Sequence, residues 1–304
     1  MRSVAAAILL VVGFGSAGAA DEKPLTQLLA ACDQVAANPF DNTRPAGVPG
    51  VGFAKIVPEA AISACEEAAT AAPDDARMAM QLGRAYLAAK NFDAARVQFI
   101  RAYQQGNAQA AANLALLYEK GQGVPRDDAE AVRLSKIAAD QGNAQGQNGL
   151  GFLLGQGRGG PKDEMEAARL FKLSADQRYP PAQNNLGRLY LTGRGGLPKD
   201  DREAVRLFKL AADQGSDSGQ ANLGLAYKDG LGGLSKDERE AVRLFKLSAD
   251  QGSALGQVSL GLAYERAPGW LPKDEREAAR LYKLAADQGS DFAQSLLARV
   301  NGGP

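Results

Sequence analysis

The chain has 304 residues, 35 basic and 35 acidic, and no histidine. Balanced charge argues against the basic face a nucleic-acid binder needs to neutralise phosphates, and against the polybasic patch of a membrane-surface protein. Without histidine there is no histidine-based triad and no histidine-ligated metal.

Residues 1–20 read as a secretory signal peptide. Arg2 supplies the positive end, Val4 to Phe14 is a short apolar run, and Gly18-Ala19-Ala20 before Asp21 fits a small-x-small cleavage site. The competing reading is a membrane anchor. Against it, the run is shorter than the ~20 residues a span needs, and Gly13 and Gly15 interrupt it. No other stretch is apolar enough to span, so membrane insertion is not expected after removal of this segment. The mature chain is expected to be exported, with the periplasm as destination and secretion as the alternative.

Residues 21–73 read as a non-repetitive N-terminal cap. Leu25, Leu28, Leu29, Cys32 and Val35 fall at helical spacing and predict a helix over about 24–37. Pro39, Pro45, Pro49 and Pro58, with Gly47, Gly50 and Gly52, stop it. A second helix is expected over about 59–71, through Ile62, Cys65, Ala68 and Ala69. Two cysteines in an exported chain, Cys32 and Cys65, favour a disulfide, and the competing reading is two buried thiols. A bridge would close a loop of about 34 residues, worth roughly 3–4 kcal/mol in the chain-entropy model. It would tie the cap helices together and close the open end of the array that follows.

From residue 74 the chain repeats. A first unit over 74–106 carries Leu82-Gly83-x-x-Tyr86, Ala95, Phe99 and Ala102. These match the tetratricopeptide pattern, in which a small residue lets two helices cross closely while bulky ones fill the groove. Five further units cover 107–289. The phrase Ala138-Ala139-Asp140-Gln141-Gly142 returns with its Asp at 176, 213, 250 and 287, in steps of 36, 37, 37 and 37 residues. Such a period signals stacked helix pairs. The Leu-Gly position recurs as Leu114-Ala115, Leu150-Gly151, Leu186-Gly187, Leu223-Gly224 and Leu260-Gly261. Each second helix opens with Asp-x-x-Glu, from Asp127 and Glu130 to Asp274 and Glu277, as a capping box does. Gly142, Gly215, Gly252 and Gly289 end these helices. Arg178 takes that place once, before Pro180-Pro181, and predicts a turn of its own geometry. Residues 290–304 read as a C-terminal capping helix and tail.

The inter-helix loops Gly193-Arg-Gly-Gly-Leu-Pro-Lys-Asp200 and Gly121-Gln-Gly-Val-Pro-Arg-Asp127, with Glu-Ala-x-Arg-Leu behind them, closely resemble the Sel1-like repeat family. The resemblance covers about residues 75–300. It implies an all-α, right-handed solenoid of stacked helix pairs related to tetratricopeptide arrays. The cap, with its cysteine pair, also looks like the leader of some exported bacterial members. The family pattern is broken where Ser235 replaces the loop proline, where the Tyr264 unit reads Arg-Ala-Pro-Gly-Trp, and by one inserted residue in the 37-residue units. Some exported members were linked to β-lactam binding and hydrolysis, but their hallmark, a cysteine pair in each repeat, is absent here.

Catalytic chemistry finds little support. The Gly-rich loops at 157–160, 193–196 and 230–233 lack the Lys-Ser/Thr of a phosphate loop and recur at the repeat period. Acidic pairs such as Asp200-Asp201 stand at helix starts, where negative charge is favourable. Trp270, the single Trp, is read either as a binding anchor or as packed on Leu271. No metal and no cofactor is expected.

The inner surface remains. First helices of such pairs line the concave side, and positions two before and two or five after the repeated Leu point into it. These are Asn148, Phe152, Asn184, Arg188, Leu191, Leu225, Lys228, Leu262 and Glu265, a mixture suited to a protein or peptide. The alternative is a solvated face with scattered apolar residues. The expected function is an exported, non-enzymatic, monomeric scaffold, and the resemblance implies roles in envelope signalling or complex assembly. An envelope hydrolase acting on peptidoglycan or a β-lactam is the second reading, and a secreted effector engaging host proteins is the third.

Overall fold

The computed structural model describes residues 23–300 apart from positions 42 and 268, together with Gly302; the expected signal peptide at 1–20 lies outside the described residues. Among the described residues there are fifteen α-helices, one short 3-10 turn and no strand. The cap holds α1 (Leu25–Ala36) and α2 (Pro58–Ala71). Six helix pairs follow: α3 (Ala76–Ala88) with α4 (Phe92–Gln104), α5 (Ala108–Lys120) with α6 (Asp128–Asp140), and α7 (Ala144–Gln156) with α8 (Glu164–Asp176). Then come α9 (Pro180–Thr192) with α10 (Asp201–Asp213), α11 (Asp217–Asp229) with α12 (Glu238–Asp250), α13 (Ala254–Arg266) with α14 (Glu275–Ala286), and a last helix, α15 (Asp291–Val300). No helix among the described residues is long and apolar enough to cross a membrane.

Each helix packs on the next in sequence, so the array is a stack of hairpins. First helices also touch across units, α5 with α7, α9 with α11 and α11 with α13, while second helices make no comparable pairing. The first helices therefore form the inner layer and the second helices the outer, more widely spread one. This is the all-α solenoid of the sequence reading.

The close crossing within a pair depends on the repeated glycine. A Cβ on Gly187 would sit 2.7 Å from the Phe208 ring, and one on Gly224 would sit 2.6 Å from Phe245. Phe99, Phe208 and Tyr282 are fully buried behind this contact. The earliest Sel1-like unit has Ala115 at the glycine position and Ser135 at the ring position.

The helix starts keep half of the expected capping box. Asp127, Asp163, Asp200, Asp237 and Asp274 each accept from the Glu amide three residues on, at 2.9–3.0 Å. The Glu side chains do not reach back. They accept a two-pronged bond from the Arg three residues further on, as Glu203 does from Arg206. The reason lies in the cap amide itself, which already donates to a carbonyl of the first helix: Asp127 to Tyr118, Asp200 to Tyr190, Asp237 to Tyr227. With that donor occupied, the Glu carboxylate is free to pair with Arg.

Arg178 also departs from expectation. Its φ is +63°, in the same left-handed region as Gly142, Gly215, Gly252 and Gly289, so the turn keeps the common geometry and Arg carries the strain. A non-glycine residue there costs roughly 1–2 kcal/mol, partly offset by the greater freedom glycine has in the unfolded chain. Arg178→Gly is therefore expected to stabilise by about 0.5–1 kcal/mol, read as a higher midpoint in thermal unfolding by circular dichroism. A lower midpoint would mean the Arg178 side chain makes a compensating contact.

In the cap, Cys32 and Cys65 are bridged, joining α1 to α2. Beneath them Asp33 is buried, pairs with Arg77 and accepts from Gln81 at 2.7 Å, which binds the cap to α3.

Candidate functional site

Two depressions open along the inner layer, and the repeat relates them. The first, about 270 Å³, lies between α7, α8 and α9 and is lined by Phe152, Phe171, Asn185, Arg188 and Leu191, among others. The second, about 250 Å³, lies between α11, α12 and α13 and includes Leu225, Lys228, Phe245, Ser259 and Leu262. Phe152 corresponds to Leu225, Arg188 to Leu262, Asn185 to Ser259 and Phe171 to Phe245, two units apart in each case. At the position where these units have Gly155 and Lys228, the unit between has Leu191, which packs on the core around Phe208. Equivalent positions of successive units thus place different side chains around the two openings.

Six of the nine inner-face residues expected from sequence line these depressions: Phe152, Arg188 and Leu191 the first, Leu225, Lys228 and Leu262 the second. The other three have internal partners. Asn148 accepts from Asn185 at 3.0 Å and Asn184 accepts from Asn222 at 2.7 Å, which places both in a ladder of amides joining successive first helices. Glu265 accepts from Arg299 at 2.7 Å and from the Tyr282 hydroxyl at 2.8 Å, tying α13 to α14 and α15. Trp270 is 37% exposed, with the Arg239 guanidinium over its ring at 5.3 Å from the centroid.

Charge around the first depression is ordered by arginine. Arg158 donates to Asp128 at 2.6 Å and to Glu119 at 3.1 Å, and its guanidinium lies 5.8 Å from the Phe152 ring centroid. Its bonds, with those of Arg126, hold the Asp128 carboxyl well below the usual carboxylate range. Bonds from Arg194 and Lys162 bring Glu164 down to about 2. These carboxylates stay ionised through neutral pH, the opposite of what a general acid needs. Arg188 is exposed and makes no salt bridge among the described residues. No group of three or more potential metal ligands occurs among the described residues. The two depressions set apolar surface beside charged side chains.

A third feature of the inner face had no periodic signal to announce it. Between the cap helices the chain forms a compact loop, closed where the Val51 amide donates to the Ala37 carbonyl at 2.7 Å. Gly50 is required here, because a Cβ would overlap Pro39. Asn38 and Asp41 are buried within the loop, each accepting from an amide two residues on at 2.9 Å. Arg84 of α3, itself buried, donates to the carbonyls of Ala36 and Val51 at the loop's base. Burial pushes the Arg84 guanidinium down to about 10, still protonated at neutral pH. The tip reaches far along the array: the Phe40 ring meets Tyr179, at the start of α9, edge to face, with centroids 5.0 Å apart. Burial raises the Tyr179 phenol to about 12. The prolines and glycines of 39–52 mark this segment as a break between helices, and they say nothing about where it docks.

Comparison with known proteins gives the same architecture. The Sel1 repeat family model matches residues 108–143, 144–179, 180–216, 217–253 and 254–290. Among solved structures, the chain is similar to a Sel1 repeat protein from Oxalobacter formigenes, 30% identical over 72% of this chain and 86% of that one, with a TM-score of 0.57. It is also similar to c5321, described as a protective antigen present in uropathogenic Escherichia coli strains displaying an SLR fold. That likeness is 27% identical over 84% of this chain, with a TM-score of 0.51, and this chain spans 53% of c5321. A search among curated proteins found no match. Five consecutive repeats over more than half of the sequence, on a stack of helix hairpins, place this chain in the Sel1 repeat family.

Proposed function

We propose that this chain is an exported, non-catalytic scaffold that binds a protein or peptide along the inner face, with the two repeat-related depressions as its anchor points. The recurrence of one slot two units apart, lined by Phe152 and Arg188 in one case and Leu225 and Lys228 in the other, carries this reading. In a repeat array the packing positions are uniform, and specificity resides where equivalent positions differ. An extended segment with two apolar anchors would meet both openings, and Arg188 would favour an acidic group beside the first. The cap and α15 close the two ends of the stack. The working form is a monomer in the periplasm, acting in envelope signalling or complex assembly, without nucleic acid and without insertion into the membrane.

The test is a crosslinked pull-down with residues 21–304 from the source envelope, beside a variant with Phe152, Arg188 and Leu225 changed to Ala. The variant should keep its helical circular dichroism, since all three side chains lie at the surface of the depressions. The expected result is a partner captured by the parent and lost from the variant, with about tenfold or greater weakening for loss of two anchors. An identical partner set from both proteins would remove the inner face from the reading, and no partner from either would return weight to an envelope enzyme.

A further inference from the structure

The loop at 37–51 does not lie flush on the helices it crosses. Between its Pro39, Phe40 and Phe53 side and the inner face of α3, α5 and α7 remains a cavity of about 480 Å³. That volume is within the range of small-molecule sites, roughly 300–1,000 Å³. Its walls combine two kinds of group. Phe40, Phe53, Phe92 and Tyr179 contribute aromatic surface, while Arg84, Lys90 and Lys120 contribute three positive charges, and no carboxylate lines it. Neither Lys90 nor Lys120 has a salt bridge among the described residues, whereas most lysines of the repeats pair with a carboxylate nearby.

One wall residue is left unsatisfied. Asn113 of α5 is 5% exposed, and its Oδ1 accepts from Gln145 at 2.9 Å, but its Nδ2 is buried and donates to nothing. That donor is sealed beneath the wall, so Asn113 shapes the cavity without offering it a hydrogen bond. Two lysines without salt bridges among the described residues, the buried Arg84 and four aromatic rings around one half-open cavity define a narrow chemistry.

We propose that this cavity binds a small aromatic carboxylate, with the ring among Phe40, Phe53, Phe92 and Tyr179 and the carboxylate toward Lys90 and Lys120. The site is separate from the two depressions and does not depend on their role. A cationic or neutral ligand would leave the lysines without counter-charge and is disfavoured by the wall as built.

Lys90 offers a test that does not rest on damaging the fold. Its φ is +59°, a conformation natural to glycine, so Lys90→Gly removes the charge while relieving the backbone. Isothermal titration of the purified protein would use 2-naphthoate and its neutral analogue 2-naphthalenemethanol, each on the parent and on Lys90→Gly/Lys120→Gln. The expected result is one naphthoate per chain, bound at least about tenfold more tightly than the alcohol. The double variant should weaken naphthoate about fivefold or more, as loss of two exposed ion pairs implies, and leave the alcohol unchanged. Naphthoate affinity should persist in the Phe152, Arg188 and Leu225 variant. Equal binding of acid and alcohol, an unchanged double variant, or no heat up to about 5 mM (a free energy near 3 kcal/mol,) would each overturn the assignment.

Discussion

Replacing Arg84 with methionine is expected to lower the stability of the cap by about 2–4 kcal/mol and to release the loop over 37–51. The guanidinium holds the carbonyls of Ala36 and Val51, the two ends of that loop. Hydrogen bonds from a charged donor are worth about 1.5–3 kcal/mol each. Against this stands the desolvation of a buried guanidinium, the same effect that brings its pKa down to about 10, so the net falls below the sum of the two bonds. Methionine keeps most of the side-chain volume and isolates the polar loss from a packing loss. Limited trypsin digestion supplies a second readout. Lys55 is exposed just beyond the loop and should be cut sooner in the variant. The Cys32–Cys65 bridge brackets that site, so the fragments should separate only after reduction. A variant with parent stability and parent digestion would show that the loop holds itself in place without Arg84.

Removal of the disulfide, as Cys32→Ser/Cys65→Ser, is the second large effect. Bridging residues 33 apart constrains the unfolded chain by about 3.5–4 kcal/mol in the chain-entropy model. The loss should be local. Stability in a stacked array is a sum of unit and neighbour terms, so the repeats from α10 onward, beyond the reach of the cap loop, should melt where they did before. Calorimetry should show an earlier, separate transition for the cap, reproduced in the parent by a reducing agent. A single transition shifted as a whole would mean that cap and repeats unfold as one cooperative body.

The sequence made the repeats plain because each local rule is stated five or six times. The helix starts at Asp127, Asp163, Asp200, Asp237 and Asp274, and the glycines facing Phe171, Phe208, Phe245 and Tyr282, come from recurrence alone. Recurrence also misled. It suggested a reciprocal capping box, because Glu stands three residues after Asp, but it could not show that a Tyr or Leu carbonyl of the first helix already occupies the cap amide. It marked Arg178 as an exception in geometry when the exception is in strain. Asn184 and Glu265 vary between units as binding residues do, yet both have structural partners that pattern cannot reveal. The contact of Phe40 with Tyr179 spans 139 positions and happens once, so no periodicity could carry it.

That single contact has a mechanical meaning. A stack whose turns touch only their neighbours behaves as a spring, with bending shared among all its joints. The ring pair is a brace fastened from the cap to the start of α9, across the turns built by α3 to α8. Flexing that part of the coil has to slide or part the rings. The ring pair therefore adds, between the cap and α9, a constraint that neighbour contacts alone do not supply. The first depression lies beside that brace and the second beyond it, so the two are held by differently tied parts of the coil.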